Sequence, residues 1–199
     1  MELIIKNRKI ANVFLAVITA AFWSSCQKGD GDADYGFAYV YIPQATFTSL
    51  DNTYPVPSGA GKNTYNFKVD TLSDGTPDKI NIILGVLRSG KISDAEGFTV
   101  NVNVLSEMTN DAIIALDDAL PLPASMFTIP DKAVVEAGTN SALFYVTVDV
   151  NQLTNSMYIG KKLVLAVGIS EPTNNFELAK DNTSVVIIID VDAMLTILF

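Results

Sequence analysis

The chain of 199 residues contains no histidine and a single cysteine, Cys26. The absence of histidine excludes Ser-His-Asp and Cys-His catalytic triads and the zinc sites that depend on imidazole ligands. A lone cysteine cannot form a disulfide within the chain, so a folded domain has to be stabilised by its hydrophobic core. Basic residues are also few, because 13 Lys and Arg stand against 22 Asp and Glu. An acidic surface repels phosphate groups, and nucleic acid is therefore not expected as a partner.

The first part of the chain has a basic start followed by a short apolar run. Lys6, Arg8 and Lys9 precede residues 10–23, which are almost entirely apolar. As a helix this run would span roughly 21 Å, which is shorter than the ~30 Å hydrocarbon core of a bilayer. The pattern predicts a cleaved export signal over residues 1–25 rather than a permanent transmembrane anchor. An ordinary secretory signal with an incidental cysteine is the alternative.

Small residues stand directly before the cysteine, in the order Ser24-Ser25-Cys26. This segment resembles the bacterial lipoprotein signal, in the looser form found in Bacteroidetes, where the cysteine after small residues receives diacylglycerol on its sulfur. The resemblance implies that Cys26 is the lipid attachment site and becomes the N-terminus of the mature protein. Several acyl chains on one residue would give stable membrane anchoring, because each buried methylene contributes about 0.8 kcal/mol.

Residues 26–36 form the predicted acidic tether, with aspartates at positions 30, 32 and 34. This tether resembles the acidic export tags that follow the lipidated cysteine of Bacteroidetes surface lipoproteins. The whole chain has a net charge of −9, and the first 25 residues hold three basic and one acidic side chain, so the remainder carries about −11. Such a domain is not attracted to anionic headgroups, and the lipid has to supply the attachment. We therefore expect an outer membrane lipoprotein that faces the cell exterior.

From Phe37 onward a two-residue hydrophobic period dominates, and turn residues interrupt it every ten to twenty positions. Residues 106–120 are the one stretch with helical spacing, interpreted as a crossover or a lid of mixed turn and short helix. The predicted strands cover residues 37–42, 65–70, 80–86, 98–104, 127–136 (as one or two short strands), 142–150, 163–169 and 185–191. About seven or eight strands without repeated helices predict an all-β, antiparallel, immunoglobulin-like β-sandwich over residues 37–193. Residues 194–199, the apolar tail, either continue the last strand or cover an edge of the core.

Four segments of this domain occur in a familiar order, at residues 41–45, 120–127, 135–138 and 163–167. Together they resemble the uncharacterised β-sandwich module at the N-terminus of many Bacteroidetes surface lipoproteins, over roughly residues 39–190. That module precedes some secreted endo-β-N-acetylglucosaminidases and other glycan-utilisation proteins. The resemblance implies a role in glycan utilisation but brings no catalytic residues. No downstream catalytic domain follows in this sequence, so we expect the protein not to be an enzyme.

A row of aromatic residues recurs at every second position near the start of the domain: Tyr35, Phe37, Tyr39 and Tyr41. In a strand these side chains lie on one face, because successive residues point to opposite sides. Sugars have apolar faces that stack on aromatic rings, so the row is a candidate platform for a glycan. The residues between them are also apolar, and burial of the strand on both faces is the alternative.

Two groups of acidic residues are candidates for catalytic or metal-binding sites. Glu107, Asp111, Asp117 and Asp118 are close in sequence, yet nothing in the pattern makes a pair of carboxylates converge as glycoside hydrolysis requires. Asp70, Asp74 and Asp78 flank a turn and could supply oxygen ligands to calcium, but an ordinary acidic turn is the favoured interpretation. We therefore expect no catalytic residues, no metal site and no cofactor.

The predicted function is that of a non-catalytic, lipid-anchored cell-surface protein. It would bind a glycan or serve as an accessory of a glycan-uptake system, with the membrane, a glycan and other surface proteins as its partners. The alternative is a structural or adhesive, pilus-like subunit that assembles by pairing an exposed strand edge with another protein. The terminal strand and the apolar tail are the features that would support the alternative.

Overall fold

Two β-sheets packed face to face make up the fold. The computed structural model of the chain describes residues 39–47, 52–59, 61, 64–90 and 96–199, and within them it contains twelve strands. The predictions for the signal, Cys26, the acidic tether, Tyr35 and Phe37 lie outside the described residues.

The first sheet is built around one long central strand. Its members are β1 (Tyr39–Tyr41), β3 (Phe67–Thr71), β4 (Pro77–Arg88), β7 (Phe127–Thr128), β9 (Ser141–Asp149) and β11 (Glu177–Leu178). The strand order is β11-β1-β4-β9-β7, and β3 also pairs with β4. Because β9 occupies one edge of β4 along most of its length, β1 and β3 share the other edge.

The second sheet contains the other six strands. They are β2 (Thr53–Val56), β5 (Phe98–Val104), β6 (Ala119–Pro121), β8 (Lys132–Val135), β10 (Lys162–Ser170) and β12 (Ser184–Asp190). The strand order is β2-β12-β10-β5-β8, with β6 beside β10. The segment predicted as one or two strands at residues 127–136 thus supplies β7 to one sheet and β8 to the other.

The core lies between the sheets because alternate residues of the long strands are apolar. The inward side chains of β4 are Ile80, Ile82, Leu84 and Val86, all fully buried. They face the inward residues of β10 and β12, which are buried as well. The predicted all-β sandwich is confirmed. The sheets are mixed rather than wholly antiparallel, since β1 pairs with β11, β2 with β12 and β6 with β10 in parallel.

Three α-helices belong to the described part of the fold: α1 (Ser106–Ala115), α2 (Val150–Leu153) and α3 (Val191–Leu198). Short 3-10 helices, Pro43–Thr46, Ala124–Met126 and Ser156–Tyr158, lie in the connections. Helix α1 covers the outward side of the second sheet, where Met108 and Ile113 pack with Val164, Ala166 and Val186. The predicted helical segment is therefore confirmed for residues 106–115. Among the described helices, none has the length and apolar character needed to cross a membrane.

The apolar tail belongs to α3 and closes one end of the core. The Asp190 side chain accepts a hydrogen bond from the backbone N–H of Ala193 at 2.9 Å, which ends β12 and starts the helix. Met194 is fully buried, and Leu195 and Leu198 pack on the core. The tail therefore covers an edge of the core, which was one of the two expectations, and does not continue the last strand.

Candidate ligand-binding face

The outward side of the first sheet, called the outer face below, carries the predicted aromatic residues. It consists of the side chains that alternate with core residues on β1, β3, β4 and β9. These are Tyr39, Tyr41, Lys68, Asp70, Lys79, Asn81, Ile83, Gly85, Leu87, Leu143, Tyr145, Thr147 and Asp149. Adjacent strands are about 4.8 Å apart, and alternate residues on one strand are about 6.8 Å apart.

Tyr39 and Tyr41 lie together on the outer face, as the two-residue period predicts. The side chain of Tyr39 is 38% exposed, whereas Val40 and Ile42 are fully buried in the core. Burial on both faces, the alternative for this strand, therefore does not hold at Tyr39. In the register of the sheet Tyr41 stands opposite Leu87 of β4.

A glycine and an exposed leucine lie next to this aromatic pair. Gly85 is opposite Leu143, whose side chain is 61% exposed. A Cβ atom at Gly85 would stand 3.5 Å from the Leu143 Cδ2, so the leucine lies over the space that a larger residue would fill. The β1 strand ends before it reaches Gly85, and the Gln44 Oε1 accepts the Gly85 N–H at 3.0 Å instead. The Gln44 side chain thus takes the place of a strand beside Gly85. Gly85 and Leu143 form a shallow apolar surface, the floor, at this point of the outer face.

A third tyrosine, Tyr145, lies further along the outer face. It is half-buried and stands opposite Ile83, two strands and two outward positions from Tyr41. These steps correspond to about 17 Å between the two residues. The Lys68 ammonium is 3.3 Å from the Tyr145 hydroxyl and 5.4 Å from the ring centre. The cation therefore sits at the hydroxyl end of the ring rather than over its face.

A row of hydrogen-bonded polar side chains adjoins Tyr145. The Asn81 Nδ2 donates to the Asp70 Oδ2 at 2.8 Å, and the Thr147 Oγ1 donates to the Asn81 Oδ1 at 2.7 Å. Each side chain in this row keeps further donor or acceptor capacity. The row is fixed by its internal hydrogen bonds, so these protein side chains lose little conformational freedom when a ligand binds.

The polar end of the outer face finishes in a small cleft of about 170 Å³. Its lining includes Lys79, Thr128, Thr147 and Asp149. Lys79 and Asp149 stand opposite each other in the sheet. The outer face therefore changes from aromatic and aliphatic at Tyr39 to charged and hydroxylic at this cleft.

Three of the acidic residues that were candidates for catalytic or metal sites, Asp70, Asp74 and Asp118, bond other groups of the protein. The Lys161 ammonium donates a hydrogen bond to the Asp118 carboxylate at 2.5 Å. This hydrogen bond and the positive charge of the ammonium lower the pKa of Asp118. The backbone N–H of Thr76 donates to Asp74 at 2.9 Å and lowers the pKa of that carboxyl. Asp70 belongs to the polar row. Within the described ranges no three His, Cys, Asp or Glu residues are grouped so as to hold a metal ion.

Sequence reasoning missed Tyr145, Lys68 and Leu143 on the outer face. The available signal was on β9, where Leu143, Tyr145 and Thr147 alternate with a complete set of core residues. A large aromatic and a large aliphatic residue on the wet side of a strand indicate a contact surface. What brings them near Tyr41 is the strand order, which local periodicity does not contain.

No protein-family model matches the chain, and no curated protein sequence matches it. Among solved structures, a two-domain protein of unknown function from Bacteroides fragilis is similar at 12% identity and a TM-score of 0.49, over 77% of this chain and 45% of that one. A candidate carbohydrate-binding protein from Bacteroides ovatus has 12% identity and a TM-score of 0.48, over 76% and 36%. An auxiliary nutrient-binding protein from Bacteroides thetaiotaomicron has 17% identity and a TM-score of 0.48, over 70% and 44%. This chain spans less than half the length of each of the three, and likenesses of this size do not bear on its ligand.

Proposed function

We propose that the protein is a non-catalytic glycan-binding protein whose ligand lies across the outer face. The observation that carries the proposal is the combination of partly exposed tyrosine rings and a hydrogen-bonded polar row on one side of a sheet whose other side packs on the core. Ligand sites typically combine apolar and aromatic surface with a few placed polar groups. Sugar rings fit this combination, because their C–H faces stack on tyrosine and their hydroxyls both donate and accept hydrogen bonds.

The proposed ligand is an oligosaccharide rather than a single sugar. Tyr41 and Tyr145 are about 17 Å apart by strand geometry, which leaves room for several sugar rings between them. The middle sugars of the oligosaccharide would contact the apolar floor at Gly85 and Leu143. Asp70, Asn81 and Thr147 would then bond the hydroxyls of the last sugars.

The test is glycan-array binding by the full chain in mild detergent, with Tyr41→Ala and Tyr145→Ala. Loss of one stacking ring removes about 1.5–3 kcal/mol of apolar contact, which corresponds to a tenfold to hundredfold weaker Kd. Tyr158→Ala is the matched control, because Tyr158 is a half-buried tyrosine that does not belong to the outer face and lies in a 3-10 helix, Ser156–Tyr158. Equal binding by all three variants and the unchanged chain, or no glycan bound at all, would contradict the proposal.

We also propose that the protein is held at the outer surface of the outer membrane by lipid on Cys26, where it serves glycan uptake. The support is the basic and apolar start of the sequence, the small residues before Cys26 and the acidic tether after it. Cys26→Ala is expected to move the protein out of the membrane fraction, and Ser25→Ala is expected to leave it there. Protease treatment of intact cells then reports the side of the membrane. Recovery of Cys26→Ala with the membranes would refute lipid anchoring.

The alternative of a pilus-like subunit, which pairs through an exposed strand edge, draws its support from the terminal strand and the apolar tail. The tail is part of helix α3, with Met194 buried in the core. Strand addition at that place would require α3 to leave the core, so we favour glycan binding.

A further inference from the structure

The strand β3 has an open edge. Among the described residues it pairs only with β4, and residues 68–71 are exposed. The backbone carbonyl of Asn66 accepts the N–H of Ile83 at 3.0 Å. In an antiparallel ladder bonded pairs alternate, so the next bonded pairs toward the end of β3 involve residues 68 and 70. The N–H and C=O groups of Phe67 and Val69 consequently point away from β4.

Apolar surface lies directly beneath this edge. A groove of about 570 Å³, the edge groove, separates β3 from helix α3 and is lined by Phe67, Val69, Ile197 and Leu198 among others. Val69 is 39% exposed and Leu72 is 50% exposed. A strand with unpaired backbone groups above an apolar groove offers both the hydrogen bonds and the side-chain pocket that another strand needs.

We infer that β3 pairs antiparallel with β3 of a second copy of this chain, centred on Val69. In this register Val69 faces the partner's Val69, and Lys68 faces the partner's Asp70. The two-fold symmetry repeats the second contact, so both charged residues of each strand meet an opposite charge. Val69 of each copy also covers part of the other copy's edge groove.

The charges select this register over its neighbours. A shift that places Val69 opposite the partner's Phe67 puts Lys68 opposite the partner's Lys68. A shift in the other direction puts Asp70 opposite the partner's Asp70. Like charges directly opposite each other destabilise a strand pair. The sequence of β3 is thus complementary to itself in one antiparallel register, which is why the occupant is a second copy.

The pairing joins two first sheets into one. A two-fold axis through the strand pair is perpendicular to the sheet, so the outer faces of both copies lie on the same side. A dimer would present two ligand-binding faces to one glycan chain and gain affinity through multivalency. The pairing itself does not depend on the identity of the ligand.

The test is the mass of the full chain by sedimentation equilibrium in density-matched detergent, over a concentration series at low salt. The unchanged chain should pass from monomer to dimer. Val69→Pro should remain monomeric at every concentration, because proline removes the N–H at the free edge but no bond to β4. The matched control is Val134→Pro on β8, the edge strand of the second sheet, where the bond from Val102 N–H to Asp131 C=O likewise leaves Val134 N–H at the free edge. That control should still dimerise.

Exposed charge substitutions test the register without risk to the core. Lys68→Glu and Asp70→Lys should each weaken dimerisation fivefold or more, and the double variant K68E/D70K should restore it. A double variant as weak as the single ones would overturn the register. A chain that stays monomeric at the highest concentration would overturn the pairing and show that Lys68 and Asp70 protect the edge instead.

Discussion

Met194 closes one end of the core, and Met194→Ala is expected to destabilise the protein strongly. Met194 belongs to α3, and its side chain is fully buried in the core. Replacing a buried methionine by alanine costs about 2–5 kcal/mol, because apolar burial is lost and a cavity remains. Since α3 is a short helix at the end of the core and can settle inward, we expect about 3 kcal/mol. In a protein of this size that lowers Tm by roughly 6–12 °C.

The assay is thermal and urea unfolding followed by circular dichroism. Phe199→Ala is the control, since Phe199 is 72% exposed at the end of the same helix and should change the free energy of unfolding by less than about 0.5 kcal/mol. Met194→Leu conserves volume and should cost less than about 1.5 kcal/mol. If Met194→Ala and Phe199→Ala unfold at the same temperature, α3 does not pack on the core as described.

Three further predictions concern polar and backbone details. Thr109→Val should destabilise by about 1–3 kcal/mol in urea unfolding, and Thr109→Ser should not, because the Thr109 hydroxyl accepts the buried N–H of Ala166 at 2.9 Å. Lys161 lowers the pKa of Asp118 below 3.8, so this pair stabilises the fold above that pH and the effect disappears as the pH falls through the lowered pKa. Unfolding measured from pH 6 downward should therefore be less pH-dependent in Asp118→Asn. Gly97→Ala would place a Cβ atom 2.9 Å from backbone atoms, and the overpacking should lower the free energy of unfolding by about 1–3 kcal/mol in urea unfolding.

The long strands could be predicted because their buried residues follow a local pattern in the sequence. From Ile80 to Val86 of β4 and from Phe144 to Val148 of β9, every second residue is apolar and fully or almost fully buried, so the two-residue period gives both the strand and its inward face. The helix α1 was also visible, since its apolar positions recur at helical spacing.

Strand β2 was missed because its sequence argues against a strand. Pro55 lies within it and cannot donate a hydrogen bond to a neighbour. The structure tolerates it because β2 is at the edge of the second sheet, where β12 is its one partner among the described strands. The short strands β6 and β11 likewise owe their conformation to partners that are distant in sequence.

The candidate site was predictable in part for the same reason. Tyr39 and Tyr41 share a face through local alternation, whereas Tyr145 reaches that face only because β9 pairs with β4. The contact between Lys68 and Tyr145 spans three strands, and no local pattern encodes it. A single sequence therefore indicates one end of the outer face and leaves the other end hidden.

The parallel pairs at the sheet edges also bear on when the chain folds. β1 and β2 come early in the chain, yet their partners β11 and β12 lie in its last quarter. Pairings between distant segments form slowly, because a long loop has to close before any contact is gained. Tyr54 and Val56 therefore have no sheet to join until β12 has been synthesised. For a chain exported as proposed, this late closure lengthens the time during which the polypeptide remains unfolded and able to pass through a translocation channel.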